Sequence, residues 1–245
     1  MKNAFQPRCR PSLSIVGSSD RFPVRRIYCV GRNYREHARE MGDDPSREPP
    51  FFFSKPADAL LELAEGEGQA KRNRVFYPPR TKQLHHEVEL VAALGRGGFE
   101  IAAEVALEHV FAYALGNDLT RRDLQAEAKE KRRPWDLAKG FDGSALCGPL
   151  HGVGENGHLE AGRIWLEVAG ELRQEGDIGE MIWSVAEIVA DLSTYVRLHC
   201  GDLIYTGTPA GVGGLEIGDS VRSGIEGLAE IEFQIVEPQA AEAPA

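Results

Sequence analysis

The chain offers one sustained amphipathic helix, and most of the rest is short apolar runs cut apart by glycine and proline. Ile182, Val185, Val189, Leu192 and Val196 recur at three- and four-residue spacing, which predicts one apolar stripe on a helix over residues 184–198. Ser184 and Glu187 fit a capping box at its start, and Gly201 fits a stop. Residues 26–30, 51–53, 87–94, 110–115, 163–168, 203–206, 220–222 and 229–236 are β-prone runs bounded by turn residues. Ala169-Gly170 is expected to turn 163–168 back onto 171–174 as a hairpin. Two further helices are expected, a short one over 34–41 closed by Gly42 and a polar one over 120–132 ending before Pro134. Many strands and few helices predict a β-rich α+β domain rather than regular βαβ alternation.

A chain of 245 residues suffices for one large domain. Residues 1–24, with Pro7, Pro11 and Pro23, read as an irregular arm carrying a short strand at 13–16. Residues 25–236 read as the folded domain, and 237–245, without large apolar groups, as a fraying tail.

Lys and Arg number 28 against 38 Asp and Glu, a net charge of −10. That sign opposes a nucleic-acid partner or an anionic membrane surface. A small anionic substrate remains open, because a local cation can overcome the overall field. No stretch approaches the roughly 20 apolar residues of a membrane span, and the N-terminus lacks the apolar core of a signal peptide. Cys9, Cys29, Cys147 and Cys200 are far apart and form no CxxC pair. Four buried or half-buried thiols and a cytoplasmic location are therefore expected.

The strongest chemical signal is His85-His86-Glu87-Val88-Glu89-Leu90. In a strand, Glu87 and Glu89 point to one face. Two adjacent carboxylates repel, which raises a pKa or calls for a cation. The apolar run after them sets the pair at the edge of a core, where an all-oxygen site suits Mg²⁺ or Mn²⁺. A half-exposed strand with alternating Glu gives the same pattern. The two histidines do not make HExxH, so they read as structural rather than zinc-binding. Asp118, where an apolar strand meets a polar helix, reads locally as a helix N-cap. His37 and Glu40 stand at i and i+3, so on a helix a carboxylate would orient an imidazole able to take a proton from water; a mixed-charge surface helix fits the same spacing. The glycine-rich run 201–213 follows a strand and suits either an anion or a tight loop.

Taken together, these segments resemble the fumarylacetoacetate hydrolase family. The matches are Tyr28-Cys29-Val30-Gly31-Arg32-Asn33-Tyr34 with His37 and Glu40; Phe53-Ser54-Lys55-Pro56; and His86-Glu87-Val88-Glu89-Leu90. Further along are Asp118-Leu119-Thr120-Arg121-Arg122-Asp123-Leu124-Gln125, Trp135 with Lys139-Gly140-Phe141-Asp142, Ala169-Gly170-Glu171 with Gln174, and Thr206-Gly207-Thr208-Pro209 with Gly211-Val212-Gly213. Within the family the resemblance is to the bacterial fumarylpyruvate hydrolases and acylpyruvases, on the segment 42–45, the triple Phe and the run 118–125.

The resemblance implies a mixed β-sandwich or roll with few helices, like the family's C-terminal domain, and a homodimer. It implies Glu87, Glu89 and Asp118 as ligands of Mg²⁺ or Mn²⁺, which replaces the local reading of Asp118 as a cap. It implies His37 and Glu40 as a water-activating dyad on a segment that orders when substrate closes the site. Gln125 would position the attacked carbonyl and its oxyanion, and Lys139 would meet the substrate or its enolate. Arg32, Arg122 and Thr208 would contact substrate anions. The implied activity is cleavage of an acylpyruvate, an anionic 2-oxo acid, with fumarylpyruvate of the gentisate pathway as substrate. Oxaloacetate decarboxylation, double-bond isomerisation and non-catalytic binding of 2-oxo acids are the rival readings. Two departures stand out: Ala169 where the family usually has Asn, and Asn117, a polar neighbour of Asp118 that could alter substrate preference.

Overall fold

The computed structural model of the protein describes residues 9–40, 48–66 and 68–238. Gly42, the segment 42–45 and the tail from 239 lie outside the described residues.

The centre of the fold is an eight-stranded mixed sheet. Its main path runs Phe51–Lys55, Arg26–Gly31, Asp202–Tyr205, Val88–Leu94, Val110–Asp118, Ala145–Cys147 and Leu60–Glu62, with His151–Gly152 pairing on Val110–Asp118. All seven residues of Val88–Leu94 are buried. The reason is that both faces of the sheet are covered: Leu90, Ala92 and Leu94 enter one apolar cluster, and Val91 and Ala93 enter another. A strand covered on both faces reads as a continuous apolar run rather than an alternating one.

The first cluster is shared with a five-stranded sheet ordered Glu171–Asp177, Arg163–Val168, Ser220–Ile225, Ile231–Val236 and Arg74–Phe76. Ile164, Leu166, Val221, Ile225 and Phe233 supply its side of the core. This is the β-rich sandwich expected. Ala169 and Gly170 make its tight hairpin, both at positive φ (51° and 82°). That conformation suits Asn or Gly; an alanine there costs about 1–2 kcal/mol.

The segment read as an irregular arm is more ordered than expected. Ser12–Ser14 and Arg21–Pro23 pair as an antiparallel hairpin. Its Leu13 and Phe22 are buried against the far face of the large sheet, each contributing about 1.5–3 kcal/mol by burial.

Four helices matter for the site or the core. The helix Val185–Tyr195 has the expected Ser184–Glu187 capping box and buries Val185, Ile188, Val189 and Leu192. It stops at Val196 rather than at Gly201; Gly201, at φ 92°, instead turns the chain into Asp202–Tyr205. Helix α1, Arg35–Glu40, is the short helix expected. Helix α2 spans Arg122–Glu130, because Thr120–Arg121 first pairs as a strand with Leu84–His86. It ends in a paired turn, with Arg132 N–H on the Lys129 carbonyl at 3.1 Å and Arg133 N–H on the Ala128 carbonyl at 2.8 Å. Arg132 sits at φ 53° in that turn, the position where glycine is preferred, at a cost of about 1–2 kcal/mol. A one-turn helix α3, Asp136–Lys139, follows. Of the four thiols, Cys29 and Cys147 are buried as expected, whereas Cys9 and Cys200, in turn-rich segments outside the sheets, are exposed. Among the described residues no helix is long and apolar enough to cross a membrane.

Candidate active site

Three carboxylates converge where the large sheet ends. Glu87 lies between Leu84–His86 and Val88–Leu94, Glu89 follows in the latter strand, and Asp118 closes Val110–Asp118. The register sets Val88 opposite Asn117 and Glu89 opposite Gly116. The Asp118 N–H donates to the Glu87 carbonyl at 2.8 Å. One oxygen from each of Glu87, Glu89 and Asp118 lies within 4.8 Å of the others, and all three side chains are buried. Asp118 is therefore not a helix cap: α2 begins four residues later, preceded by Arg121 with no side-chain cap.

The polar Asn117 has a local role. Its carbonyl oxygen accepts the Glu87 N–H at 3.0 Å, which fixes the backbone of one carboxylate. Side chains alternate along a strand, so Asn117 points away from the face Asp118 uses.

Cations balance two of the three acids. Lys139 Nζ, from α3, donates to Glu87 Oε2 at 2.7 Å and Asp118 Oδ2 at 2.8 Å. Lys55 Nζ lies 2.7 Å from Asp118 Oδ1 as an ion pair outside hydrogen-bond alignment, while donating to the Leu119 and Lys139 carbonyls. Arg122 Nη2 donates to Glu87 Oε1 at 2.5 Å. Burial alone would raise the Glu87 carboxyl, but Lys139 and Arg122 hold it well below the usual carboxylate range. Burial opposes charge on Lys139, and Asp118 and Glu87 outweigh it, so the ammonium stays protonated.

Glu89 differs. It accepts the Gly207 N–H at 2.8 Å. Burial, and then the charges of Asp118 and Glu87, push it well above the usual range. A buried carboxylate in that state is a place for a divalent cation. The donors fit one: all are hard oxygens, and oxygens around one octahedral ion at about 2.1 Å lie roughly 3–4 Å apart. Mg²⁺ or Mn²⁺ suits this set better than a softer metal.

The remaining expected residues gather around this cluster. Arg32, His37, Arg122, Gln125, Lys139 and Thr208 line the same cavity as the three carboxylates. His37 on α1 is buried, whereas the side chain of Glu40 lies outside the described residues. Gln125 is buried on α2, and its carbonyl oxygen accepts from Arg122 Nη1 at 2.6 Å, which leaves its NH₂ end to donate. The Thr208 hydroxyl donates to the Val88 carbonyl and accepts from Gln174 Nε2, both at 2.8 Å. His85 and His86 stand outside the carboxylate set. His86 Nδ1 meets Gln174 Oε1 at 2.8 Å, and burial, then Arg122, lower His85 to about 4, so it is neutral at physiological pH.

Sequence reasoning gives Lys55 and Gln174 no role of their own. Lys55, a lone cation ending the aromatic run 51–53, is almost fully buried. Gln174 is fully buried and also accepts the Val88 N–H at 3.1 Å, tying the smaller sheet to the metal-side strand. Asn33 likewise ties the approach to α1 to the 206–208 turn, donating to the Thr206 carbonyl at 2.8 Å, and to the start of Val185–Tyr195, accepting the Trp183 N–H at 2.8 Å.

Residues 26–236 match the family described as "Fumarylacetoacetate (FAA) hydrolase C-terminal". The chain belongs to the fumarylacetoacetate hydrolase family. Among this family's structures, that of fumarylpyruvate hydrolase from Pseudomonas aeruginosa in complex with Mn²⁺ and pyruvate is 51% identical, with a TM-score of 0.93 over 96% of this chain and 100% of that one. Fumarylpyruvate hydrolase of a Ralstonia species is 44% identical over 78% of this chain and 95% of its own length. The mitochondrial oxaloacetate tautomerase of Rattus norvegicus is 40% identical over 86% of this chain and 91% of its own. Family membership and these relatives make the protein an enzyme, a hydrolase acting on C–C bonds.

Proposed function

We propose that the protein hydrolyses an acylpyruvate, converting fumarylpyruvate to fumarate and pyruvate, as the last step of gentisate breakdown in the cytoplasm. The observation that carries this reading is the buried Glu87–Glu89–Asp118 cluster, whose oxygens lie within 4.8 Å of one another, in a chain so similar to fumarylpyruvate hydrolases. Bound there, Mg²⁺ or Mn²⁺ supplies Lewis-acid stabilisation to the carboxylate and 2-oxo oxygens of the substrate's head.

The chain's own residues do the rest. His37 takes a proton from water, oriented by Glu40, and the water attacks the distal carbonyl. Gln125 donates its NH₂ to the oxyanion as charge develops there. The C–C bond breaks, the acyl half leaves as the carboxylic acid and gives up its proton to solvent to become fumarate, and the proton held by His37 passes to the pyruvate carbon. Lys139, kept protonated by Asp118 and Glu87, opposes the negative charge that builds on the pyruvate half. Arg32 and Arg122 meet the substrate's anionic groups. Thr208 walls the same space, with its hydroxyl already holding the Val88 carbonyl. The working form is a homodimer, and residues 25–236 form its catalytic domain.

A second reading, tautomerisation or decarboxylation of oxaloacetate at the same site, is favoured by the 40% identity to the oxaloacetate tautomerase. NMR of products from acylpyruvates and oxaloacetate with added Mg²⁺ separates the two. Release of fumarate and pyruvate supports hydrolysis; exchange or CO₂ loss from oxaloacetate with inert acylpyruvates overturns it.

A further inference from the structure

A compartment of about 580 Å³ adjoins the cavity of the carboxylate cluster, and the two share Arg32, Phe53, Lys129, Trp135 and Lys139. Its sides are aromatic. Trp135 stands edge-on to Phe51 and Phe53, with ring centroids 5.2 and 5.8 Å away. Its lining is also basic: Lys129, Arg132 and Arg133 belong to it, and Asp136 is the one acidic residue among the described lining. In a chain of net charge −10, this is a local reversal of sign.

The bland account of these cations is that they cap the C-terminus of α2. The turn makes that unnecessary, because the Ala128 and Lys129 carbonyls are already taken by the Arg133 and Arg132 N–H groups. Arg132 also holds a left-handed conformation, φ 53°, where glycine is preferred. An arginine at such a position points to a use for its side chain. Lys129 Nζ lies 5.4 Å from the Trp135 ring centre, which sets one of these cations against the aromatic wall.

We infer that this compartment receives the acyl arm of the substrate, and that Lys129, Arg132 and Arg133 select arms ending in a carboxylate. A flat, conjugated chain lies along the aromatic wall, and its far carboxylate meets these cations. The inference rests on the acylpyruvate reading and adds the residues that hold the far carboxylate of the acyl arm.

The test compares kcat/KM for fumarylpyruvate and for acetylpyruvate, which has the same head and an uncharged arm. In the double variant Arg132→Gly, Arg133→Gln, the fumarylpyruvate-to-acetylpyruvate ratio falls by about tenfold or more, the scale of one charge-assisted contact. The loss is in KM. The single variant Arg132→Gly melts at or above the wild-type temperature, so the change is not a folding defect. Lys129→Met shifts the ratio the same way, and its inhibition by fumarate weakens relative to crotonate, which lacks the second carboxylate. A ratio within about twofold of wild type in the double variant, an effect below the contact's scale, overturns the compartment's assignment while leaving the hydrolase reading intact. A wild-type enzyme that cleaves neither acylpyruvate overturns both.

Discussion

Glu89 accepts a hydrogen bond from the Gly207 backbone N–H at 2.8 Å. Gly207 holds φ 97°, and a Cβ there would stand 2.7 Å from Asn33 Cβ. The Gly207→Ala variant is therefore predicted to lose about 1–3 kcal/mol of stability, and its metal affinity falls because the Glu89 carboxylate loses its placement. Denaturant melts with and without Mn²⁺ measure both effects.

Metal removal should act through the same carboxylate. With metal at a hundredfold excess over Kd, stabilisation is about 2.7 kcal/mol, roughly 5–11 °C in Tm for a chain of this size. Chelation removes it, and Glu89→Gln abolishes it. The pH dependence follows from the direction of the Glu89 shift. A carboxyl raised by burial and by Asp118 and Glu87 favours the fold while protonated. That contribution is full below its unfolded value and is lost as pH rises through the folded one. Metal-free Glu89→Gln is thus expected to out-melt metal-free wild type by more at about pH 8 than at about pH 5. Binding the ion displaces the proton, so affinity weakens as pH falls below the folded value. Equal melting differences at both pH values contradict this.

His37 should be separable from the metal. His37→Ala is predicted to lower hydrolysis by about 10²–10⁴-fold, the usual share of a general base, while Mn²⁺ still raises its Tm. Unchanged turnover dismisses His37 as the base.

Lys139 and Asp118 form a buried pair at 2.8 Å, with side chains 3% and 1% exposed. Removing one partner of such a pair costs about 3–5 kcal/mol. Lys139→Met is expected to destabilise the metal-free protein by that amount and to raise the Glu87 carboxyl, whose low value rests on Lys139 and Arg122. Glu87 supports the fold while ionised, present above its unfolded value and lost as pH falls through the folded one. The acid limb of stability then moves to higher pH in the variant, which urea unfolding across the acidic range checks.

Local patterns carried the larger elements of the fold into view. The stripe from Ile182 to Val196 and the Ala169-Gly170 turn each depend on neighbours a few residues away, so the sequence alone discloses them. Short strands such as Leu60–Glu62 and Ala145–Cys147 exist because they pair with each other in parallel, a long-range relation that leaves no local period. Asp118 illustrates the same limit. Its strand-to-helix junction reads as a cap, and only register against Glu87 and Ala145 turns it into a third carboxylate. Its role was reachable through family resemblance, not spacing. Lys55 and Gln174 act on partners 64 and 88 residues away; a lone lysine after three phenylalanines was the available hint for the first.

The most direct test of the central claim is turnover of fumarylpyruvate by purified wild type and Glu87→Ala, each with Mn²⁺, followed by NMR. Wild type should release equal amounts of fumarate and pyruvate, stop on chelation and recover on adding Mn²⁺ back, while Glu87→Ala stays inactive. Cleavage by Glu87→Ala at the wild-type rate, or wild-type cleavage indifferent to chelation, contradicts a metal-assisted hydrolase built on these three carboxylates.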